Sequence, residues 1–202
     1  MKDPLNIIIC GVGGQGNVLA SRLVAEAADS EGYFVKIGET FGASQRGGAV
    51  ESHIRISTRM EYGPLIPEGM ADIIVALEPA EAMRVAVRYA NPNTIVIVNP
   101  RPVYPIGVLS GRMNYPPVKD ILKRLEEFVG SLFVVDAFGL AEEVGEVLSQ
   151  NIVMIGALST LDIVPIAFES YENVIRQLFD EKRVRLNLDA FHCGADVKCG
   201  GL

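Results

Sequence analysis

The chain has 202 residues, a formal net charge of −7 and apolar side chains at 49% of its positions. This length suits one compact unit, so we expect residues 1–202 to form a single domain. An acidic chain without a lysine or arginine block lacks the clustered positive charge that nucleic acid requires. It also lacks a run of about 18 uncharged apolar residues, so we expect no membrane-spanning helix.

The three cysteines, Cys10, Cys193 and Cys199, are odd in number and widely spaced. This usage argues against a disulfide framework and favours a reducing compartment. The N-terminal sequence MKDPLNIIIC lacks the features of a secretory signal, so we expect a cytoplasmic protein. Three thiols are also fewer than the four that iron–sulfur clusters usually need, which excludes a cluster held by this chain alone.

Short apolar runs alternate with longer stretches of helical periodicity. The predicted strands cover residues 5–10, 33–38, 49–57, 71–77, 93–99 and 132–137. The predicted helices cover residues 15–30, 79–90, 118–129, 137–149, 152–162 and 169–180. This order predicts a Rossmann-like α/β fold, with a largely parallel sheet flanked by helices and a helical C-terminal third.

Two segments depart from this regular alternation. Residues 49–57 alternate apolar and polar side chains, which predicts one water-facing side and a strand that is either at an edge or antiparallel. Residues 91–117 hold six of the eleven prolines. Pro100, Pro102 and Pro105 exclude regular structure around them, so we expect the chain to leave the sheet there.

The sequence GVGGQG follows the first predicted strand. Gly11, Gly13 and Gly16 fit the G-x-G-x-x-G pattern, and Glu39 stands where an acidic residue would bind a ribose. Such a loop brings backbone amides close to an anion. Three interpretations remain open: a dinucleotide site, a tight packing turn, or a site for another anion. Gln15 argues for caution, because a long amide stands where a small residue usually permits close approach.

A second glycine-containing loop precedes the third predicted strand. It consists of Ser44, Gln45, Arg46, Gly47 and Gly48. An arginine fork beside paired glycines can bind an anion, and it can equally hold a carboxylate or carbonyl of a neighbouring subunit. A solvated arginine in a loop is the plain alternative.

Together the two loops carry a resemblance. GVGGQGNVLASRLVAEAA followed by GETFGASQRGGAVESHIRI resembles the small, gamma-type subunits of the 2-oxoacid:ferredoxin oxidoreductase family, in particular the beta subunits of those that act on indolepyruvate. Further similarity lies at residues 71–84, 99–116, 151–158 and 187–191, so it spans nearly the whole chain.

This resemblance implies a subunit of an enzyme complex that is inactive alone. In the family, a 2-oxoacid is decarboxylated on thiamine diphosphate, electrons pass through iron–sulfur clusters to ferredoxin, and the acyl group is transferred to coenzyme A. The large subunit of the indolepyruvate enzymes carries the thiamine diphosphate, its magnesium ion and the clusters. The small subunit carries none of them, so we expect a hetero-oligomer with a large cofactor-bearing partner.

The resemblance also assigns roles to the two loops. The glycine loop is expected to form an interface or to bind an anion such as a phosphate of coenzyme A, and it consists of Gly11, Gly13, Gly14, Gln15 and Gly16. The second loop, residues 44–48, is expected to face the catalytic subunit. No catalytic or metal-binding residue is predicted. The alternatives are a subunit specific for pyruvate, 2-oxoglutarate or branched-chain oxoacids, a free-standing dinucleotide-binding oxidoreductase, and a purely structural module.

The histidines and cysteines are weaker candidates for a functional role than the two loops. His53 is a weak candidate for a general base, because no partner for it is evident. Cys10 fits a buried small residue. His192, Cys193 and Cys199 offer three soft ligands without a fourth, so the C-terminus is expected to be flexible and free of metal.

Overall fold

The computed structural model describes residues 2–42, 48–197 and 199. Within these residues one mixed sheet contains six strands: β1 (Leu5–Val12), β2 (Phe34–Phe41), β3 (Ala49–Ser57), β4 (Ile73–Ala76), β5 (Ile95–Val98) and β6 (Ser131–Val134). Their order is β2-β3-β1-β4-β5-β6. The pairs β1–β4, β4–β5 and β5–β6 are parallel, whereas β3 is antiparallel to β1 and to β2. Five of the six strands therefore run in one direction, as the largely parallel prediction required.

Helices cover both faces of the sheet. They are α1 (Asn17–Ser30), α2 (Pro79–Tyr89), α3 (Ile106–Leu109), α4 (Val118–Phe128), α5 (Ala137–Val144), α6 (Gln150–Ser159), α7 (Phe168–Leu178) and α8 (Glu181–Asp196), with a 3-10 turn at Val147–Ser149 before α6. The larger core cluster joins one face to α1, α5, α6, α7 and α8, and the smaller cluster joins the other face to α2 and α4. None of the helices among the described residues is long and apolar enough to cross a membrane.

Strand β3 lies inside the sheet, between β2 and β1, so the antiparallel alternative holds and the edge alternative does not. The predicted water-facing side is wrong, because Glu51 and His53 on that side are buried. Two non-local elements cover it. The Ile66 amide donates a hydrogen bond to His53 Nδ1 at 3.2 Å, and Arg84 from α2 pairs with Glu51. These two polar side chains of β3 are therefore buried and paired with groups from other parts of the chain, and they do not face water.

The expected flexible C-terminus is also wrong for His192 and Cys193, because both lie in α8, the longest helix among the described residues. Helix α8 packs directly on α6 through two glycines. A Cβ on Gly156 would overlap the Phe191 carbonyl, and a Cβ on Gly194 would overlap the Val153 carbonyl. These glycines let the two backbones touch, which holds α8 in place.

The proline-rich segment behaves as predicted. From Asn99 to Pro105 the chain has no regular structure, and the short helix α3 interrupts the path before α4 begins at Val118. The excursion starts where β5 ends, at the edge of the sheet that also carries the C-terminal end of β1.

Glu51 sits in the middle of the buried polar cluster. The His53 imidazole, whose Nε2 lies 3.5 Å from Glu51 Oε2, and the ion pair with Arg84 lower the pKa of the Glu51 carboxyl from its usual 4.5 to about 2. A carboxyl whose pKa is lower in the folded state stabilises the fold above its unfolded pKa. This stability is lost as the pH falls from about 4.5 towards 2.

We expect Glu51→Gln to lower the free energy of unfolding at pH 7 by about 2 kcal/mol, because it removes the ion pair between the buried Glu51 carboxylate and the half-exposed Arg84. The free energy of unfolding of the variant should also fall less than that of the original chain when the pH is lowered below 4.5, because the variant has no Glu51 carboxylate to protonate. Urea unfolding at several pH values measures both effects.

Glu61→Gln is the matched control, since Glu61 pairs with Lys36 on the surface. An exposed pair contributes roughly 0–1 kcal/mol, so this variant should unfold much as the original chain does. Equal losses in the two variants would contradict the role assigned to the buried cluster.

Candidate functional site

The glycine loop lies at the C-terminal end of β1, where open α/β sheets place their ligands. Two of its amides are already used inside the chain. The Gly13 amide donates to the Gly48 carbonyl at 2.8 Å, and the Gln15 amide donates to the Val12 carbonyl at 3.1 Å. The structure therefore brings together the glycine loop and the end of the second loop at Gly48. Ser44, Gln45, Arg46 and Gly47 lie outside the described residues.

The side chain of Gln15 folds back into its own loop. Its Oε1 accepts a hydrogen bond from the Val12 amide at 2.7 Å, and its Nε2 donates to the Leu77 carbonyl at 2.9 Å. A Cβ on Gly11 would lie 2.7 Å from Gln15 Oε1. The same Cβ would lie 3.0 Å from Asn17 Oδ1 and from Leu77 Cβ, so side chains of this chain already crowd Gly11. The carboxamide thus links the end of β1 to the residue that follows β4.

Gly16 ends the loop in the left-handed region, with a φ of +82° directly before α1. A Cβ there would overlap the amide of Asn151, whose Nδ2 donates to the Gly16 carbonyl at 3.1 Å. This hydrogen bond therefore connects the start of α1 to the start of α6. Gly14 also has a positive φ, +105°, but nothing lies within 4 Å of its added Cβ, so the loop is open to a partner at this point.

A cavity of about 380 Å³ opens beside the loop. The residues that line it belong to the loop, the proline-rich segment and the α5–α6 region: Gly14, Gln15, Gly16, Leu19, Leu77, Asn99, Arg101, Pro102, Val103, Phe138, Leu148, Gln150 and Asn151. Asn99 is 1% exposed, and its Oδ1 has no hydrogen-bond partner among the described residues. The Arg101 guanidinium lies 3.4 Å from the centre of the Phe138 ring. The cavity thus combines a cation, polar amide side chains and apolar walls.

The surroundings do not complete a dinucleotide site. The strand that follows α1 in a Rossmann unit pairs with the first strand, whereas here β3 separates β2 from β1. Glu39 lies opposite Ser52 on β3, and Ser52 lies opposite Ile9 on β1. The acidic residue is therefore a full strand away from the place that the fingerprint requires.

The remaining candidates have structural surroundings. His53 is fully buried, and its Nε2 lies 3.5 Å from Glu51 Oε2. Cys10 is buried as predicted, and burial raises the pKa of its thiol. His192 Nε2 pairs with Glu172 Oε1 at 2.6 Å, and burial raises the pKa of the Cys199 thiol to about 11. Among the described residues no group of three His, Cys, Asp or Glu side chains is arranged to hold a metal ion.

The sequence analysis did not single out three polar residues of this site, Asn99, Arg101 and Asn151. Asn151 opens the segment NIVMIGAL, which carries part of the resemblance, so a signal for it existed. Asn99 stands at the end of an apolar strand, where only the folded structure shows that its acceptor is free.

Comparison with known proteins agrees with this architecture. Residues 6–197 match the pyruvate ferredoxin/flavodoxin oxidoreductase family. The indolepyruvate oxidoreductase subunit IorB of Archaeoglobus fulgidus is 42% identical over 98% of this chain and 96% of its own length. The same subunit of Pyrococcus horikoshii is 41% identical over 96% and 95%. The pyruvate/ketoisovalerate oxidoreductases common subunit gamma of Thermococcus kodakarensis is 29% identical over 90% and 92%.

Solved structures share the fold. The gamma subunit of a keto/oxoacid ferredoxin oxidoreductase from Geobacter sulfurreducens has a TM-score of 0.70 at 24% identity, covering 96% of this chain and 97% of its own. The 2-oxoglutarate:ferredoxin oxidoreductase from Magnetococcus marinus has a TM-score of 0.76 at 23% identity, covering 98% of this chain but only 31% of its own. On the family match and the near full-length relatives, the chain belongs to the pyruvate ferredoxin/flavodoxin oxidoreductase family.

Proposed function

We propose that this chain is the small subunit of an indolepyruvate ferredoxin oxidoreductase. The complex would convert an aryl pyruvate and coenzyme A into an acyl-CoA and carbon dioxide, with the two electrons passing to ferredoxin. The observation that carries the proposal is the near full-length identity with subunits named for indolepyruvate, which exceeds the identity with the pyruvate/ketoisovalerate subunit. Subunits for pyruvate, 2-oxoglutarate or branched-chain oxoacids remain the alternative for the substrate.

The proposal assigns thiamine diphosphate, its magnesium ion and the iron–sulfur clusters to a large partner subunit. The thiols of this chain support that division. Cys10 lies in β1, Cys193 lies in α8 and Cys199 follows that helix, so they come from different elements.

In this proposal the glycine loop builds part of the contact surface beside a cofactor that the partner holds. Gln15 supports this role, because its carboxamide occupies the loop from inside. Gly14 is the part of the loop that stays open, and the neighbouring Gly13 amide is hydrogen-bonded to the Gly48 carbonyl of the second loop. The contribution of residues 44–47 rests on the sequence alone and remains a prediction.

Coenzyme A is the co-substrate of the proposed complex, and the cavity beside the loop offers it suitable groups. Arg101 supplies positive charge for a phosphate, and Gln150 and Asn151 supply polar side chains in the cavity lining. Contact with the partner subunit alone is the alternative use of the same surface. We further propose that the complex works in the cytoplasm, as the cysteine usage suggests.

The direct test is reconstitution of this chain with the large subunit from the same host under anaerobic conditions. We expect a stable complex in equal amounts that reduces ferredoxin when indolepyruvate and coenzyme A are present. Each subunit alone should be inactive. A complex that prefers pyruvate or 2-oxoglutarate would overturn the substrate assignment, and an active isolated chain would overturn the accessory role.

The isolated chain also separates this proposal from a free-standing dinucleotide enzyme. We expect it to bind neither NAD(P) nor flavin in calorimetric or fluorescence titration, since Gln15 fills the loop. Gln15→Ala tests whether the glutamine side chain prevents binding, because the substitution removes the carboxamide and leaves Gly11 and Gly16 unchanged. Micromolar binding of a dinucleotide by the unmodified chain would contradict the account.

A further inference from the structure

The proline-rich excursion, residues 99–117, carries the densest group of exposed apolar side chains near the candidate site. Ile106 is 83% exposed, Leu109 is 73% exposed and Met113 is 62% exposed. Tyr104 stands beside them and is also exposed. Scattered single apolar residues on a surface are ordinary, but several on one short segment indicate a binding surface.

The excursion is held firmly at both ends by one buried carboxylate. Glu78 is 1% exposed, and it accepts hydrogen bonds from the Tyr115 hydroxyl and, at 3.4 Å, from the Val103 amide. The same carboxylate caps α2 through the Glu81 amide at 2.9 Å. Tyr104 packs edge-to-face on Tyr115, with ring centres 5.2 Å apart. Residues 103 and 115 are therefore fixed to the sheet edge.

The part between these ends is folded on itself. The amides of Arg112 and Met113 both donate to the Gly107 carbonyl at 2.9 Å, and Gly111 turns the chain with a φ of +72°. The Met113 sulfur lies against Gly107, 2.8 Å from the position of an added Cβ. In this ordered turn Ile106 and Leu109 are exposed to solvent. Apolar side chains gain free energy when they are buried, so the binding of a partner that covers both would be stabilised by them.

The charge of the excursion differs from that of the chain. Residues 99–117 contain Arg101 and Arg112 and no acidic residue, while the whole chain has a net charge of −7. Neither arginine forms an ion pair with any residue that the structure describes. A partner that covers this surface must therefore supply apolar contacts and carboxylates.

A second copy of this chain fits the surface poorly. A symmetric pair would use the same patch on both copies and would place arginines near arginines. Two copies would also bring together chains of net charge −7. The cavity adds a reason for a functional partner, because Arg101, Val103 and the 81% exposed Leu148 line it, so whatever covers the excursion also closes the cavity.

We propose that residues 99–117 are the docking element for the large cofactor-bearing subunit, and that they seat in an apolar groove of that subunit rimmed by carboxylates. The inference rests on the proposed function. Ile106 and Leu109 act as the apolar anchors, and Arg112 provides the charged contact at the rim. Buried apolar anchors determine the strength of an interface, while rim charges mainly affect the rate of association.

The test measures the affinity of the reconstituted pair by biolayer interferometry, using the full chain and the large subunit. We expect Ile106→Ser combined with Leu109→Ser to raise Kd at least tenfold. Val87→Ser is the matched control, since Val87 is 67% exposed on the last turns of α2, away from the excursion, and we expect less than a twofold change. Both variants should keep the thermal midpoint of the original chain, because exposed side chains are replaced.

The association rate tests the role of Arg112 separately from that of the apolar anchors. Arg112→Glu should slow association several-fold at low salt and flatten the dependence of the association rate on ionic strength. An association rate that is unchanged at every salt concentration would remove Arg112 from the docking element.

The outcomes distinguish this inference from the proposed function. If the complex is active on indolepyruvate but the double variant binds as tightly as the original chain, the docking element is wrong and the proposed function stands. If the double variant loses binding but the original complex is inactive on indolepyruvate, the docking element stands and the substrate assignment is wrong. Self-association of the isolated chain that the double variant abolishes would show that a second copy, and not the large subunit, occupies the surface.

Discussion

The two hydrogen bonds of the Gln15 carboxamide determine what the ligand-binding edge of this sheet can do. They join the end of β1 to the end of β4 and close the glycine loop around a side chain of the protein itself. Gly11 must be a glycine to make room for that side chain. Gly16 then starts α1 and is held by Asn151 of α6. Side chains of the chain itself therefore hold a loop that has the pattern of a nucleotide site.

The position of β3 also argues against a dinucleotide site at the loop. It separates β1 from β2, so the acidic residue of a dinucleotide fingerprint cannot reach the loop. It also brings Glu51 and His53 under α2, where Arg84 neutralises the carboxylate. The Glu51–Arg84 pair thus joins the sheet to α2, whereas Arg101, which forms no ion pair with the described residues, lies at the cavity beside the loop. This arrangement suits a subunit that completes a site in cooperation with a partner.

Sequence patterns predicted most of this architecture, because β1, β4 and β5 are apolar on both faces and the glycine loop stands directly after β1. They failed where distant residues decide the outcome. The polar side of β3 was expected to face water, yet the segment around Ile66 and the side chain of Arg84 cover it. No local periodicity contains that information.

Helix α8 was missed for a different reason. Its buried side includes Asn187, Ala190, Phe191 and Gly194, so half of the contact positions are not apolar. The contact with α6 depends on two glycines that meet only after folding. In the candidate site, the loop residues could be named from the sequence. The free Oδ1 of Asn99 and the outward presentation of Ile106 are properties of the folded chain.

Hydrogen–deuterium exchange tests the central claim most directly, with the chain measured alone and then with its large subunit. The account predicts that protection on assembly is concentrated at the glycine loop, residues 11–16, and at residues 99–117. Exchange in β2, at the far edge of the sheet, should change little. Protection confined to β2 or to α7, with no change around the loop and the excursion, would contradict the claim that the C-terminal edge of the sheet meets the partner.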